Sequence, residues 1–212
     1  MANIDQASVR IPVGRTHLDG LLILPPNPKG MVIFSHGSGS SRFSPRNQMV
    51  ARFLNGLHFG TLLFDLLTDM EDIDYSMRFN IPLLTERLVL GTEWLIQQPN
   101  TKALPYAFFG ASTGAASALK AAAHLPATTA VVSRGGRPDL AMDELHLVNA
   151  PTLLIVGSRD HDVLRLNETA YAELPGIKQL SIVEGATHLF EEAGKMEEVC
   201  RLAGDWFTKY LF

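Results

Sequence analysis

The chain has 212 residues, of which 46% are hydrophobic and 19% are charged, and its formal net charge at pH 7 is −4. This composition is typical of a globular protein, and the length suits one domain with a sizeable core. A negative net charge without a cluster of lysine and arginine argues against nucleic-acid binding.

Neither a leader nor a membrane span is predicted from the sequence. The first twenty residues lack the charged start and continuous apolar run of a secretory signal, and no stretch approaches about 18 uninterrupted apolar residues. The single cysteine, Cys200, excludes an internal disulfide and suits a reducing compartment. We therefore predict a soluble cytoplasmic protein with no membrane partner, and the sequence leaves open whether it forms a homodimer.

Eight short apolar segments bounded by glycine or proline predict β-strands. The first two are close enough in the chain to form an antiparallel hairpin. In chain order the segments are 8–13, 17–25, 30–36, 59–67, 104–110, 128–136, 150–158 and 177–185.

Helical patterns occupy the intervals between these strands. They lie at 45–55, 80–98, 113–124, 138–146, 163–173 and 191–210. Strands that alternate with helices imply right-handed crossovers and a mostly parallel sheet covered on both faces. The sequence shows no internal repeat and no linker, so we predict one α/β domain over residues 1–212.

Residues 110–114 read Gly-Ala-Ser-Thr-Gly and fit the pattern G-x-S-x-G, whose serine is a candidate nucleophile. The pattern alone is weak, but a predicted strand leads into it and an alanine-rich helical pattern follows, as a nucleophile elbow requires. Such a turn holds the serine in a strained backbone conformation, while the glycines let neighbouring backbone approach. The helix N-terminus directs free N–H groups at developing negative charge. We predict that Ser112 is a nucleophile.

Two other interpretations of this turn stand beside the catalytic one. A dinucleotide-binding turn normally belongs to the first βαβ unit, whereas several strands precede this turn and the third glycine of G-x-G-x-x-G is absent. Alternatively, Ser112 is a small residue that fills a packed turn. An activated serine needs a general base and a third group that orients the base, in the order Ser, Asp or Glu, His. The presence of these partners therefore decides between the interpretations.

Candidates for both partners follow the last two predicted strands. Asp160 and Asp162 lie just beyond one strand, and His188 follows the next. Catalytic groups of open α/β sheets collect at the carboxyl ends of the strands. We predict a triad of Ser112, His188 and one of these two carboxylates, and at this point either Asp160 or Asp162 can be the acid.

A glycine-rich loop within residues 32–47 follows an early strand and is a candidate oxyanion loop. Gly37 and Gly39 allow the backbone to turn its amides inward. This makes the Ser38 N–H the leading oxyanion donor beside the Thr113 N–H. A plain Gly/Ser turn is the alternative.

Three residues are candidate substrate contacts: Gly37 in the oxyanion loop, Arg42 just after it, and Arg134 past the end of another strand. If Arg42, Arg134 or the nearby Arg137 faces the pocket, it can bind a carboxylate with two hydrogen bonds. Surface or structural ion pairs are the alternative. The Asp-His-Asp run at 160–162 is too compact to place three ligands around one ion, and we predict neither a metal nor another cofactor.

These segments resemble the α/β-hydrolase superfamily, and specifically its small dienelactone-hydrolase-like branch. The resemblance covers nearly the whole chain and rests on SHGSGSS (35–41), GASTG (110–114), GSRDHDV (157–163) and GATHLFEE (185–192). It implies an α/β-hydrolase fold of about eight strands with an N-terminal antiparallel hairpin and no large cap domain. In such families the acid commonly occupies the first Asp of a G-x-x-D-x-x-V segment, which matches Asp160. The resemblance therefore implies Asp160 as the acid, with Asp162 as the second choice.

The resemblance implies hydrolysis of a small ester or lactone through a covalent acyl-enzyme. Dienelactone hydrolases proper carry a cysteine nucleophile, whereas this chain has Ser112, so a preference for dienelactone is not carried over. The chain also lacks the long insertion in which many lipases carry a lid, and we therefore expect small soluble esters. An acyltransferase with the same triad and a catalytically silent binding module are the alternatives.

Overall fold

The structure is a computed structural model that describes residues 5–211. Over that range the strands are β1 (Asp5–Val13), β2 (Thr16–Leu24), β3 (Met31–Ser35), β4 (Gly60–Phe64), β5 (Tyr106–Ala111), β6 (Val131–Arg134), β7 (Thr152–Gly157) and β8 (Lys178–Val183). The α-helices are α1 (Pro45–Gly56), α2 (Asp69–Asp72), α3 (Ile81–Leu95), α4 (Thr113–His124), α5 (His161–Glu173) and α6 (Lys195–Tyr210). Three 3₁₀ helices span Tyr75–Phe79, Pro138–Ala141 and Leu145–Leu147.

The eight strands form one sheet in the order β1-β2-β4-β3-β5-β6-β7-β8. β1 pairs antiparallel with β2, and β2 pairs antiparallel with β4. All other neighbouring strands are parallel. The predicted N-terminal hairpin and the mostly parallel sheet are therefore confirmed.

The strand order reverses at β3, which lies between β4 and β5. The chain runs from β3 outward to β4 and then returns past β3 to β5. Loops that leave the carboxyl ends of two such strands diverge, and the crevice between them is where open α/β sheets bind ligands. The loop after β3 and the turn after β5 carry the predicted oxyanion loop and Ser112.

Helices cover both faces of the sheet, as predicted. α1 and α6 pack on one face, and α3, α4 and α5 pack on the other. In β5, adjacent side chains serve opposite faces: Phe108 joins the cluster under α3 and α4, and Phe109 joins the cluster under α1 and α6. Because burial on both faces requires apolar side chains at every position, this strand reads as a continuous apolar run.

The predicted helix at 138–146 is instead two short 3₁₀ helices separated by a turn at 142–144. Lys120 of α4 explains the difference, because its Nζ donates hydrogen bonds to both Asp143 and Glu144 at 2.8 Å. Neighbouring side chains of an α-helix point in different directions, so this double contact favours the separate turns over a continuous helix. The tertiary contact therefore overrides the local pattern.

Candidate active site

Ser112 occupies the sharp turn between β5 and α4. Its backbone has φ 51° and ψ −123°, a strained conformation for a residue with a Cβ. Hydrogen bonds fix this conformation from several sides. The Ser112 N–H donates to the carbonyl of Arg134 at 3.1 Å, and the Ser112 carbonyl accepts from the N–H groups of Ala115 and Arg137 at 3.0 Å. The turn thus holds the serine side chain at the carboxyl edge of the sheet.

Both glycines of the G-x-S-x-G segment are required by close backbone contacts. A Cβ at Gly114 would lie 2.2 Å from the carbonyl oxygen of Ser35 and 2.4 Å from that of His36. A Cβ at Gly110 would lie 2.5 Å from the Cα of Ala115. The obstructing atoms belong to the backbone and cannot rotate away. The first turn of α4 therefore packs directly against the ends of β3 and β5.

His188 and Asp160 lie beside Ser112 in a chain of hydrogen-bond contacts. His188 Nδ1 lies 2.6 Å from Asp160 Oδ2, and His188 Nε2 lies 3.3 Å from Ser112 Oγ. Because a carboxylate can only accept, Nδ1 carries the proton and Nε2 of the neutral ring is free to accept from the serine hydroxyl. A distance of 3.3 Å is usual for a catalytic contact in a ligand-free site. The arrangement can deprotonate the serine and orient the base.

Asp160 and Asp162 have different surroundings although they are two residues apart. The Asp160 side chain is 15% exposed and contacts His188. The Asp162 side chain is 88% exposed and pairs with Arg165 on the surface of α5. Of the two candidate acids, the structure brings only Asp160 to the imidazole.

His36 links the loop after β3 to the end of β4, a role that sequence reasoning did not assign. The N–H of Leu66 donates to His36 Nε2 at 3.1 Å, so the ring proton is on Nδ1, which lies 3.0 Å from the carbonyl of Gly37. Burial lowers the pKa of His36, and the Gly37 carbonyl and the nearby carboxylates Asp65 and Asp72 oppose this effect. A neutral ring keeps Nε2 available as an acceptor, which anchors the loop.

The loop after β3 lies directly against the nucleophile turn. A Cβ at Gly37 would lie 3.0 Å from the Cβ of Ser112 and 3.1 Å from the carbonyl of Ala111. The next residue forms a hydrogen bond across the same junction, in which Ser38 N–H donates to Thr113 Oγ1 at 2.8 Å. The structure thus brings together the three loop and turn residues that the sequence predicts for oxyanion and substrate contacts.

Two of the three arginines considered from the sequence are paired with carboxylates. Arg42 forms an ion pair with Asp65, and its backbone N–H donates to the same carboxylate at 2.7 Å. Arg137 donates from Nε and Nη2 to Asp139, each at 2.8 Å. Both side chains therefore already hold an anion partner within the protein.

Arg134 is the exception, because no carboxylate within residues 5–211 pairs with its side chain. The residue is 6% exposed, and its Nε is sealed from solvent without a hydrogen-bond partner. The guanidinium lies 5.9 Å from the ring centre of Phe190, two residues after His188. Burial, with a smaller effect from Arg46, lowers the pKa of Arg134 to about 10. The side chain remains a cation at neutral pH.

Cys200 lies away from this site in the apolar cluster between α6 and the sheet. It is 1% exposed, and burial, aided by the nearby Glu197, raises the pKa of its thiol to about 11. The thiol is therefore protonated at neutral pH and is a poor nucleophile.

Residues 5–211 contain no group of three or more His, Cys, Asp or Glu side chains placed to hold a metal ion. In the same part of the chain, no helix combines the length and apolar character that crossing a bilayer requires.

Comparison with solved structures places the chain beside hydrolases. It is 49% identical to a dienelactone hydrolase from Anabaena variabilis, with 99% of each chain covered and a TM-score of 0.96. More distant structures share the fold. An esterase of Pyrococcus furiosus has 18% identity and a TM-score of 0.78, covering 99% of this chain and 92% of that one. A dienelactone-hydrolase-like phosphotriesterase from metagenomic libraries has 17% identity and a TM-score of 0.79, with both chains fully covered.

Curated sequences give a second type of relative. The chain is 55% identical over 204 residues to proteins from two strains of Mycobacterium tuberculosis, whose names give phosphoribosyl transferase as a provisional activity. The match covers 96% of this chain but 46% of those relatives, so the chain spans about half of their length. No family model matches the chain.

Proposed function

This chain belongs to the dienelactone-hydrolase-like α/β hydrolases, and we propose that it is a serine hydrolase that cleaves small carboxylic esters or lactones through an acyl-enzyme. One observation carries the proposal: the side chains of Ser112, His188 and Asp160 are aligned by successive hydrogen-bond contacts of 3.3 and 2.6 Å. The strained backbone at Ser112 also supports a catalytic role, because a residue that only fills a turn does not need it.

In the proposed acylation step, Ser112 Oγ attacks the carbonyl carbon while His188 Nε2 takes the serine proton. Asp160 keeps the imidazole proton on Nδ1 and stabilises the imidazolium that forms. Collapse of the tetrahedral intermediate breaks the bond to the leaving alcohol, which receives the proton from His188. Water then attacks the acyl-enzyme by the same route, and Ser112 regains its proton.

The loop after β3 and the N-terminus of α4 form the proposed oxyanion hole. Thr113 N–H and Ser38 N–H are its proposed backbone donors, and Gly37 allows the loop to approach the reacting carbonyl. The first N–H groups of a helix lack intrahelical acceptors and carry the positive end of the helix dipole. A preorganised donor of this kind lowers the barrier by about 3 kcal/mol.

Arg134 is the proposed contact for a substrate carboxylate. A buried cation without an anion partner is costly, and an anionic substrate group would supply the missing partner. The residue is also connected to the reacting groups, because its carbonyl accepts from Ser112 N–H and the next residue, Gly135, lies against His188. Arg42 is the weaker candidate, since Asp65 already occupies its guanidinium.

Two alternatives remain within the same fold. An acyltransferase would use the same triad and pass the acyl group to an alcohol or amine in place of water. A silent binding module would not need the aligned triad. The phosphoribosyl transferase activity is named for mycobacterial proteins of which this chain spans 46%, and we do not carry it over to this chain.

A fluorophosphonate probe tests the proposed nucleophile. Wild-type protein should be labelled and should hydrolyse short p-nitrophenyl esters, whereas Ser112→Ala should do neither. Ser76→Ala, which removes an exposed serine hydroxyl bonded to Asp74, is the matched control and should behave as wild type. Absence of labelling in wild type, or equal labelling of wild type and Ser112→Ala, would falsify the proposal. Added alcohol or amine acceptors, with the products separated, distinguish transfer from hydrolysis.

A further inference from the structure

The Ser38 amide is already occupied in this structure. It donates to Thr113 Oγ1 at 2.8 Å, which is a hydrogen bond of ordinary length. A donor that stabilises an oxyanion must be directed at the position where the charge develops. In the observed arrangement, the Ser38 N–H instead points at a side-chain oxygen.

Thr113 carries two donors that have no acceptor within residues 5–211. Its N–H belongs to the first residue of α4, where the amides lack intrahelical partners, and this N–H donates to no backbone carbonyl among the described residues. Its hydroxyl accepts from Ser38 and donates to no described atom. The two donors are only three bonds apart in one residue, so both can contact the same small acceptor.

The position of these donors relative to the nucleophile is fixed by packing. Thr113 directly follows Ser112, is 4% exposed, and lies in the first turn of α4, which Gly114 seats on the carbonyls of Ser35 and His36. The loop after β3 lies against Ser112 at Gly37, where an added Cβ would lie 3.0 Å from the Cβ of Ser112. We therefore expect an oxygen of a carbonyl under attack by Ser112 to come within reach of the Thr113 donors.

We infer that the Thr113 hydroxyl donates directly to the oxyanion and that the Ser38 amide acts through this hydroxyl. The inference rests on the proposed function and revises the direct role given there to Ser38. The Ser38 N–H holds Oγ1 from one side, so the hydroxyl proton is turned toward the developing charge. Hydrogen bonds linked in series polarise one another, which strengthens the bond to the oxyanion. The proton stays on Thr113 throughout the reaction.

Replacing Thr113 with valine tests the inference, because valine keeps the shape and the N–H but removes the hydroxyl. We expect kcat for p-nitrophenyl butyrate to fall about 100-fold while KM changes less than about threefold, as for loss of a transition-state donor. Thr113→Ser should restore most of kcat. Thr92→Val is the matched control, because this buried hydroxyl bonds only to the carbonyl of Leu88, and its kcat should match wild type. Affinity for an alkyl boronic acid, which places an oxygen in the oxyanion hole, should fall in parallel with kcat/KM.

The opposite result is equally informative. If Ser38 N–H is the direct donor, removing the Thr113 hydroxyl frees it, and Thr113→Val should keep or exceed the wild-type kcat. That result overturns the inference and leaves the proposed function intact. An inactive wild-type protein that resists fluorophosphonate would instead overturn the proposed function. If thermal melting shows that the valine variant does not fold, Thr113→Ala removes the same hydroxyl without added bulk and is judged by the same values.

Discussion

Replacing Asp160 with asparagine removes the charge that faces His188 and nearly preserves the side-chain shape. The oxygen and nitrogen lie 2.6 Å apart, and an imidazolium at that distance would be attracted by about 6 kcal/mol at an effective dielectric constant of about 20. The side chains of His188 and Asp160 are 37% and 15% exposed, so solvent reduces this attraction. We therefore take the net contribution of this charge-assisted hydrogen bond to be about 1.5–3 kcal/mol, and its loss corresponds to roughly a 10- to 100-fold fall in kcat.

A second effect of Asp160→Asn increases the loss. The amide can donate to Nδ1 and so favour the tautomer whose Nε2 carries the proton, which cannot accept from Ser112. A total fall in kcat between about 100-fold and 10,000-fold is therefore expected, with little change in KM. Steady-state hydrolysis of p-nitrophenyl butyrate measures it. Asp162→Asn is the matched control, because this carboxylate is exposed and pairs only with Arg165. Turnover by Asp160→Asn within threefold of wild type, or an equal loss in Asp162→Asn, would refute the reasoning.

Three further predictions concern packing, the thiol and substrate charge. Gly114→Ala places a Cβ 2.2 Å from a β3 carbonyl oxygen, so we expect the free energy of unfolding to decrease by about 3 kcal/mol and the Tm to fall by about 6–12 °C. The Tm of the control Gly56→Ala, whose Cβ would have nothing within 4 Å, should not fall. Equal melting temperatures of the two variants would contradict the contact. The Cys200 thiol, with a pKa of about 11, should react with a thiol reagent at pH 7.5 only after unfolding. Cys200→Ala should retain esterase activity. Rapid reaction of the folded protein would show that the thiol is accessible. Arg134→Met should lower kcat/KM for p-nitrophenyl hemisuccinate, which carries a carboxylate, about 10- to 100-fold and leave kcat/KM for the neutral p-nitrophenyl butyrate within threefold of wild type. The control Arg137→Met should leave both values unchanged. Equal losses on both esters would count against a carboxylate contact.

The sheet was predictable because the strands are short apolar segments at regular intervals along the chain. β5 is buried on both faces, and a strand in that position must be apolar throughout, so its sequence shows it directly. The segment 138–146 was not predictable in the same way. Its apolar spacing suits a helix, but Lys120, about twenty residues earlier, binds two adjacent carboxylates and imposes separate turns. The spacing of apolar residues within one segment cannot predict a contact with a residue outside that segment.

The site shows the same division between local and distant information. Order along the chain suggested Ser112, Asp160 and His188, because each follows the carboxyl end of a strand. The residues alone left Asp160 and Asp162 open as the acid, and only the family resemblance favoured Asp160, which precedes α5, whereas Asp162 lies in its first turn. The sequence also could not show that Ser38 and Thr113, 75 positions apart, share a hydrogen bond. That contact exists because loops from neighbouring strands β3 and β5 meet where the strand order reverses.

The same geometry separates the groups that we propose perform the chemistry from the group that we propose selects a substrate. The turn at Ser112 and the loop after β3 are held by close backbone contacts: an added Cβ would lie 2.5 Å from backbone at Gly110, 2.2 Å from backbone at Gly114, and 3.0 Å from the Ser112 side chain at Gly37. Changes there should disturb the proposed reaction itself. Arg134, by contrast, lies near Phe190, and its side chain pairs with no carboxylate among the described residues, so its replacement removes no internal ion pair. Substrate preference should therefore change through Arg134 without loss of the ability to label Ser112, whereas any substitution at Gly37 should reduce both together.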